Sequence, residues 1–205
     1  MKILNLYAGL GGNRKLWANK HEVTAVEYDE KIAAVYADYF PNDELVIGDA
    51  HQYLLENFDQ FDFIWSSPPC QSHSSFRYNI NVRYRGTKPK YPDITLYEEI
   101  LFLQYHAKGL WVVENVVPYY EPLIEAKKID RHLYWANFDL PEPEKVHKDK
   151  IRSAQIPDLS AMYGYDLSNY SIPNKRQALR NCVYPPTGLT VLQAAEKEYE
   201  RNKAQ

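Results

Sequence analysis

With 205 residues the chain can bury one good core but has no room for two full domains. Its two cysteines are far apart and its six histidines scattered, with no HxxxH or HxH spacing, so neither a disulfide framework nor a metal site is expected. The N-terminus lacks the apolar stretch of a signal peptide and no apolar run approaches membrane-spanning length, which points to a soluble, cytoplasmic protein of a reducing compartment.

Strand and helix patterns alternate through the first half. Ile3 to Tyr7 reads as a strand and Gly11 to Asn19 as a glycine-started helix. Val23 to Glu27 is a second strand, followed by a helix from Glu30 to Phe40 that Pro41 ends. Leu45 to Ile47 is a short third strand, and Phe61 to Trp65 a fourth. Ile94 to Lys108 is an amphipathic helix with Gly109 as its expected cap, and Leu110 to Val113 a fifth, buried strand. Such alternation predicts an α/β fold with a mostly parallel central sheet and helices on both faces. Beyond Pro118 the signals weaken. Leu133 to Phe138 reads as a strand, residues 141–174 as loops, and about Leu189 to Asn202 as a charged, largely exposed helix.

Chemistry gathers at the C-terminal strand ends, the ligand-binding edge of an open α/β sheet. The fourth strand runs into Ser66-Ser67-Pro68-Pro69-Cys70-Gln71, where two prolines deny the backbone both helix and ladder. Cys70 therefore sits on a loop at that edge as a candidate nucleophile, against the ordinary reading of a lone cysteine as buried and structural. The first strand opens into Tyr7-Ala8-Gly9-Leu10-Gly11-Gly12, a turn that lets backbone N–H groups approach a ligand. The second strand ends in Glu27-Tyr28, where an acid can accept from ribose hydroxyls, and the third in Asp49-Ala50, where an acid can accept from an adenine amino group. This set describes an adenosine-type cofactor, and without a full GxGxxG it fits S-adenosylmethionine better than NAD. Glu114, at the fifth strand's end, lies among valines, where its pKa should rise toward that of a proton donor. From Gln71 to Pro92 the chain carries Arg77, Arg83, Arg85, Lys88 and Lys90 and no acid, a cationic flap that suits a polyanion despite the net charge of -3.

These residues resemble the DNA (cytosine-5) methyltransferases. Tyr7–Gly12 is similar to that family's cofactor loop, Ser67-Pro68-Pro69-Cys70-Gln71 to its Pro-Cys-Gln loop, and Glu114-Asn115-Val116 to its Glu-Asn-Val motif. Lys175-Arg176-Gln177-Ala178-Leu179-Arg180 is similar to its late Arg-Gln-x-x-Arg element, and Asn181-Cys182-Val183 with Pro185-Pro186 to its closing Asn-x-Val-Pro turn. The resemblance implies a Rossmann-like fold, S-adenosylmethionine as cofactor and double-stranded DNA as partner. The target base would be flipped out, Cys70 would add to cytosine C6 and Glu114 would assist at N3, with Asn115 alongside. It also implies a cofactor site that draws on Ser67, Pro69, Leu96, Asn181 and Cys182, and DNA contacts from Gln71, Ser74, Arg77, Arg83, Arg85, Lys88, Lys90, Arg176 and Arg180. The basic flap would be a mobile loop closing over DNA.

Two departures stand out. The family's Gln-x-Arg-x-Arg element, which supplies a cation at O2, has as its counterpart Lys127-Lys128-Ile129-Asp130-Arg131-His132, leaving Arg131 for that role. A large target-recognition domain is replaced by residues 141–174, between a catalytic domain spanning residues 1–140 and a returning element spanning 175–205. There Tyr163, Tyr165 and Tyr170 are either stacking groups or a small core. The expectation is a minimal enzyme like those of phages and prophages, acting as a monomer or with a partner that supplies recognition. Three alternatives stay open: cytosine-5 methylation of RNA, methylation of an exocyclic amino group, and a silent DNA-binding relative.

Overall fold

The computed structural model describes residues 1–129, 131–140, 142 and 154–204. Seven strands form one sheet: β1 Lys2–Leu6, β2 Glu22–Glu27, β3 Glu44–Ile47, β4 Phe63–Ser66, β5 Leu110–Val116, β6 Lys127–Ile129 and β7 His132–Ala136, in the order β3-β2-β1-β4-β5-β7-β6. The first five are parallel, and β7 runs antiparallel to both β5 and β6. Strand order reverses between β1 and β4, so a crevice opens outside their C-terminal ends. Both faces are covered, and the period-2 alternation of the strands sorts the core. Ile3, Val23, Phe63, Trp65 and Val112 face one way with Val191 and Leu192, whereas Leu4, Leu6, Val26, Ile64 and Val113 face the other with Leu54, Ile100 and Leu103.

The helices are α1 Glu30–Tyr39, α2 Ala50–Asn57, α3 Thr95–His106, α4 Ile156–Tyr163, α5 Lys175–Asn181 and α6 Pro185–Lys203. Asp29 and Asp49 cap α1 and α2 by accepting backbone N–H bonds in the first turn. Among the described residues no helix is long and apolar enough to cross a membrane.

Several expectations are corrected. Residues 11–19 form turns, not a helix. Gly9 and Gly11 take positive φ, and the buried Arg14 guanidinium donates to the Trp17 carbonyl (2.8 Å) and to both oxygens of buried Asp43 (2.8 and 2.9 Å), bonds that fix an irregular path. Gly109 does not cap α3. That helix ends at Ala107, and Gly109 is needed because a Cβ there would lie 2.6 Å from the Phe61 carbonyl oxygen as β5 begins. Helices α2 and α4 give no clear signal in the sequence, because each is only two turns long, too short for a period to show.

The last helix is not largely exposed. It buries Val191, Leu192 and Ala195 in the core, and Gly188 packs on the Asn13 backbone while its carbonyl accepts from Trp17 Nε1 (3.1 Å). A Cβ at Gly188 would lie 2.3 Å from the Asn13 carbonyl oxygen, so backbone must move. Gly188→Ala is expected to lower stability by about 2 kcal/mol despite alanine's better helix propensity, measurable by urea unfolding.

Candidate active site

Strand register brings the two main candidates to one edge. Ser66 pairs with Val113, so Ser67 and Glu114 are the next residues along two adjacent parallel strands. The Ser67 side chain hydrogen-bonds Glu114 and also accepts from Trp65 Nε1 (2.9 Å). Asn115, one residue on and fully buried, donates from Nδ2 to the Pro68 carbonyl (2.9 Å) while its Oδ1 accepts from Val116 N. Its amide thus ties the Pro-Pro loop to β5, the work of a positioning residue. Beyond the prolines the Cys70 carbonyl accepts from His73 N and Ser74 N, which turns the loop back at the cysteine.

Electrostatics couple the pair. Burial raises the Glu114 pKa to about 7, partly offset by the Ser67 hydrogen bond and the Arg131 charge. Burial likewise pushes the Cys70 thiol up to about 11, and the nearby Glu114 charge adds to the rise while Arg131 opposes it. Arg131 also donates from Nη2 to the Arg180 carbonyl (3.2 Å), so it stands where Cys70, Glu114 and α5 meet. His132 Nε2 lies 3.5 Å from Glu114 Oε1. Burial, aided by the Arg131 charge, lowers that imidazole's pKa to about 3, so the ring is neutral and the contact is not an ion pair.

On the cofactor side, the glycines serve different ends from those the sequence suggests. A Cβ on Gly11 would strike the rings of Phe40 and Tyr36, and one on Gly12 would strike Cys182 and the Val183 backbone. Both are glycine to admit protein. Only Gly9, at φ +57, leaves open space, and its N–H donates to Glu27 Oε2 (2.8 Å). Glu27 Oε1 accepts from Asp29 N (2.9 Å), so this carboxylate pins the turn and retains lone pairs for a ligand. Asp49 Oδ1 caps α2. Leu96 and Ala50 are buried nearby in one apolar cluster, Pro69 is exposed and Tyr28 is 80% exposed. The closing motif does return to the turn: Cys182, its pKa raised to about 12 by burial, lies under Gly12, whereas Asn181 is exposed and accepts from Gln177 Nε2 (2.6 Å).

The basic flap is more ordered than a loop. Arg77–Tyr84 is π-helical, and Arg85 N bonds the Ile80 carbonyl at its end. Tyr78 stacks on Tyr119 with centroids 4.3 Å apart. Ser74 Oγ accepts from Arg77 N (3.3 Å), and Arg77 Nη1 donates to the Gln71 carbonyl (3.4 Å). Arg83, Arg85, Lys88 and Lys90 are exposed. Arg180 reaches the flap's base, its guanidinium 5.7 Å from the Phe76 ring centroid, whereas Arg176 Nε donates to the Ala154 carbonyl within the fold. Of the segment 141–174, residues 141 and 143–153 lie outside the described residues. The remainder does not present its tyrosines to a ligand: Tyr163 and Tyr165 are 1% and 2% exposed in a core shared with Val35, Leu159 and Leu179, and Tyr170 donates to Asp38 (2.9 Å).

Sequence reasoning missed Glu99. Fully buried in α3, it accepts from Tyr7 Oη (2.5 Å) and Ser66 Oγ (2.6 Å) and contacts His51 Nδ1 (3.1 Å). Tyr7 itself sits at φ +54, and its hydroxyl locks the cofactor-loop candidate to β4 and α3. A signal existed, because Leu96, Glu99, Ile100 and Leu103 share the helix's apolar face.

The C-5 cytosine-specific DNA methylase family model matches residues 1–97. No curated protein matches. Among solved structures, a methyltransferase of Entamoeba histolytica superposes with a TM-score of 0.53 at 11% identity, covering 100% of this chain and 99% of that one. A protein encoded in an Escherichia coli prophage and assigned as a DNA modification methyltransferase gives 0.39 at 22% identity, over 59% of this chain and 33% of that one. A TehB-like methyltransferase from Corynebacterium glutamicum gives 0.37 at 16%, over 60% and 58%. Of these three, the first alone is close enough to establish a shared fold. Residues 1–97 are therefore similar to the C-5 cytosine-specific DNA methylase family, and the chain as a whole shares its α/β fold with the Entamoeba histolytica protein.

Proposed function

We propose that this protein methylates C5 of a flipped-out cytosine in DNA, with S-adenosylmethionine as methyl donor, Cys70 as the nucleophile at C6 and Glu114 as the acid at N3. The observation that carries the reading is the coupled Cys70–Glu114 pair at the ends of β4 and β5, beside a family match that extends through the Cys70 loop. The Gly9 turn, Glu27, Asp49 and Leu96 would hold the cofactor: one open glycine, two acids for hydroxyl and amino groups, and an apolar side chain for the adenine. When bound, it supplies an electrophilic methyl.

The residues divide the work on the cytosine. As the Cys70 Sγ–C6 bond forms, the C5=C6 double bond opens, the thiol proton leaves to solvent and Glu114 delivers its own proton to N3. C5 is then electron-rich enough to accept a methyl. Afterwards C5 loses its proton to water, its C–H electron pair restores C5=C6 as the Sγ–C6 pair returns to sulfur, and the N3 proton goes back to Glu114. Arg131 offers a cation for the O2 side, and Asn115 and Ser67 keep loop and acid in register. The flap's cations would hold phosphates, with residues 141–174 as a reduced recognition segment. Replacing Arg83 or Lys88 by alanine is expected to reduce the slope of log affinity against log salt by about 0.9 for each phosphate the side chain had neutralised, read by fluorescence anisotropy on duplex DNA.

The decisive test is covalent trapping on duplex DNA containing 5-fluorocytosine, with S-adenosylmethionine present. Fluorine cannot leave as the C5 proton does, so the enzyme should stay bonded to DNA and migrate as an adduct on a denaturing gel. An adduct on RNA but not DNA would move the substrate to RNA, and no adduct on either would overturn the covalent reading.

A further inference from the structure

Beside the Cys70 loop lies a second recess, a cleft of about 340 Å³ lined by Gln71, Ser72, Arg77, Lys90, Tyr91 and Asp93. Its two walls come from either end of the basic flap. They are clasped where Ser72 Oγ accepts from Asp93 N (3.0 Å), and Arg77 is held on the first wall by its bond to the Gln71 carbonyl. The size falls in the range of small-ligand clefts. The chemistry is mixed in a particular way. Two cations, Arg77 and Lys90, stand beside an aromatic ring that is 96% exposed, Tyr91, and Asp93 is the only acid in its lining. Asp93 Oδ1 accepts from Thr95 N (3.2 Å), which orients the carboxylate from the start of α3.

We infer that this cleft is a subsite for one nucleotide flanking the target cytosine, with its phosphate on Arg77 and Lys90, its base face on Tyr91 and an amino group of its base donating to Asp93. The inference rests on the proposed reading of Cys70 as the nucleophile, because that places the target base within one residue of the cleft wall. Each pairing has its physical reason. A guanidinium and an ammonium match a phosphate, an exposed tyrosine gives up little by stacking, and a lone carboxylate among cations discriminates among bases by accepting only from N–H. The described tyrosines of 141–174 are buried or bonded within the fold, so the flap would share the reading of bases with that segment.

The test uses the full chain and 5-fluorocytosine duplexes in which each flanking position is varied among the four bases and an abasic residue. With native protein the adduct should form about tenfold faster beside an amino-bearing base than beside an abasic residue at one of the two positions. Tyr91→Ala should remove most of that difference while leaving the rate on the abasic duplex unchanged, and Tyr91→Phe should retain it. Asp93→Asn should reorder the preference among bases without abolishing adduct formation. Equal rates on all flanks, or an unchanged order in Asp93→Asn, would overturn the subsite and leave the Cys70 reading standing. No adduct on any duplex would overturn both.

Discussion

Cys70→Ala is expected to abolish methyl incorporation into DNA, by at least about 10⁴-fold, because the proposed mechanism requires a thiolate at C6 and alanine supplies none. The fold should survive, since the position lies on a loop held by backbone bonds from His73 and Ser74 and by Asn115, none of which uses the thiol. Unfolding by urea should shift by no more than about 1 kcal/mol. Affinity for duplex DNA should persist, and the fluorocytosine adduct should vanish. This pattern separates the competing readings. An exocyclic-amino methyltransferase would keep its activity in Cys70→Ala and place the methyl on nitrogen, visible by mass spectrometry of the digested nucleosides. A silent binding protein would show no incorporation in either form.

Glu114→Gln should lower kcat/KM by about 10²–10⁴-fold, the usual contribution of a positioned acid, since an amide can hydrogen-bond N3 but cannot give it a proton. The pH profile carries the sharper signature. Reaction needs the site to hold one proton fewer than its fully protonated form, with the acid at about 7 and the thiol at about 11. In the native enzyme kcat/KM should rise about tenfold per pH unit up to about 7 and then level off, because gain of thiolate is cancelled by loss of the acid. In Glu114→Gln that break should disappear and the rise continue toward the thiol's own pKa, which without the Glu114 charge lies below about 11.

Stability offers an independent check on the same residue. The folded Glu114 pKa is raised from 4.5 to about 7, so between those values the folded state holds a proton that the unfolded state has released, and stability falls as pH rises. His132 is the reverse: lowered from 6.5 to about 3, it leaves the unfolded state with the extra proton, and stability rises with pH over that span. The two oppose each other from 4.5 to 6.5. Removing the carboxyl in Glu114→Gln should therefore make stability climb more steeply there than in the native protein, by about 1.4 kcal/mol per pH unit. Parallel curves from chemical unfolding at a series of pH values would mean that Glu114 is ionised in the fold.

The order of β1 to β5, the helices α1 and α3, and the placing of Cys70, Glu114 and the acids at strand ends are legible in the amino-acid sequence. These features are local: a period of two or 3.6, a proline pair that stops a strand, a glycine turn after an apolar run. What only the tertiary structure decided depends on partners distant in sequence. Gly11 and Gly12 look like ligand-facing glycines until Phe40, Tyr36 and Cys182 are seen against them. The last helix reads as exposed because its charges outnumber the apolar residues that meet Trp17 and Trp65. Tyr163 and Tyr165 belong to a core because α4 folds back onto α1. Glu114 acquires a pKa near neutrality only from complete enclosure, which valine neighbours suggest but packing alone creates. Local pattern specifies elements and edges through short-range sterics and periodicity, whereas burial, and with it every shifted charge in this site, is a property of contacts between segments far apart in the chain.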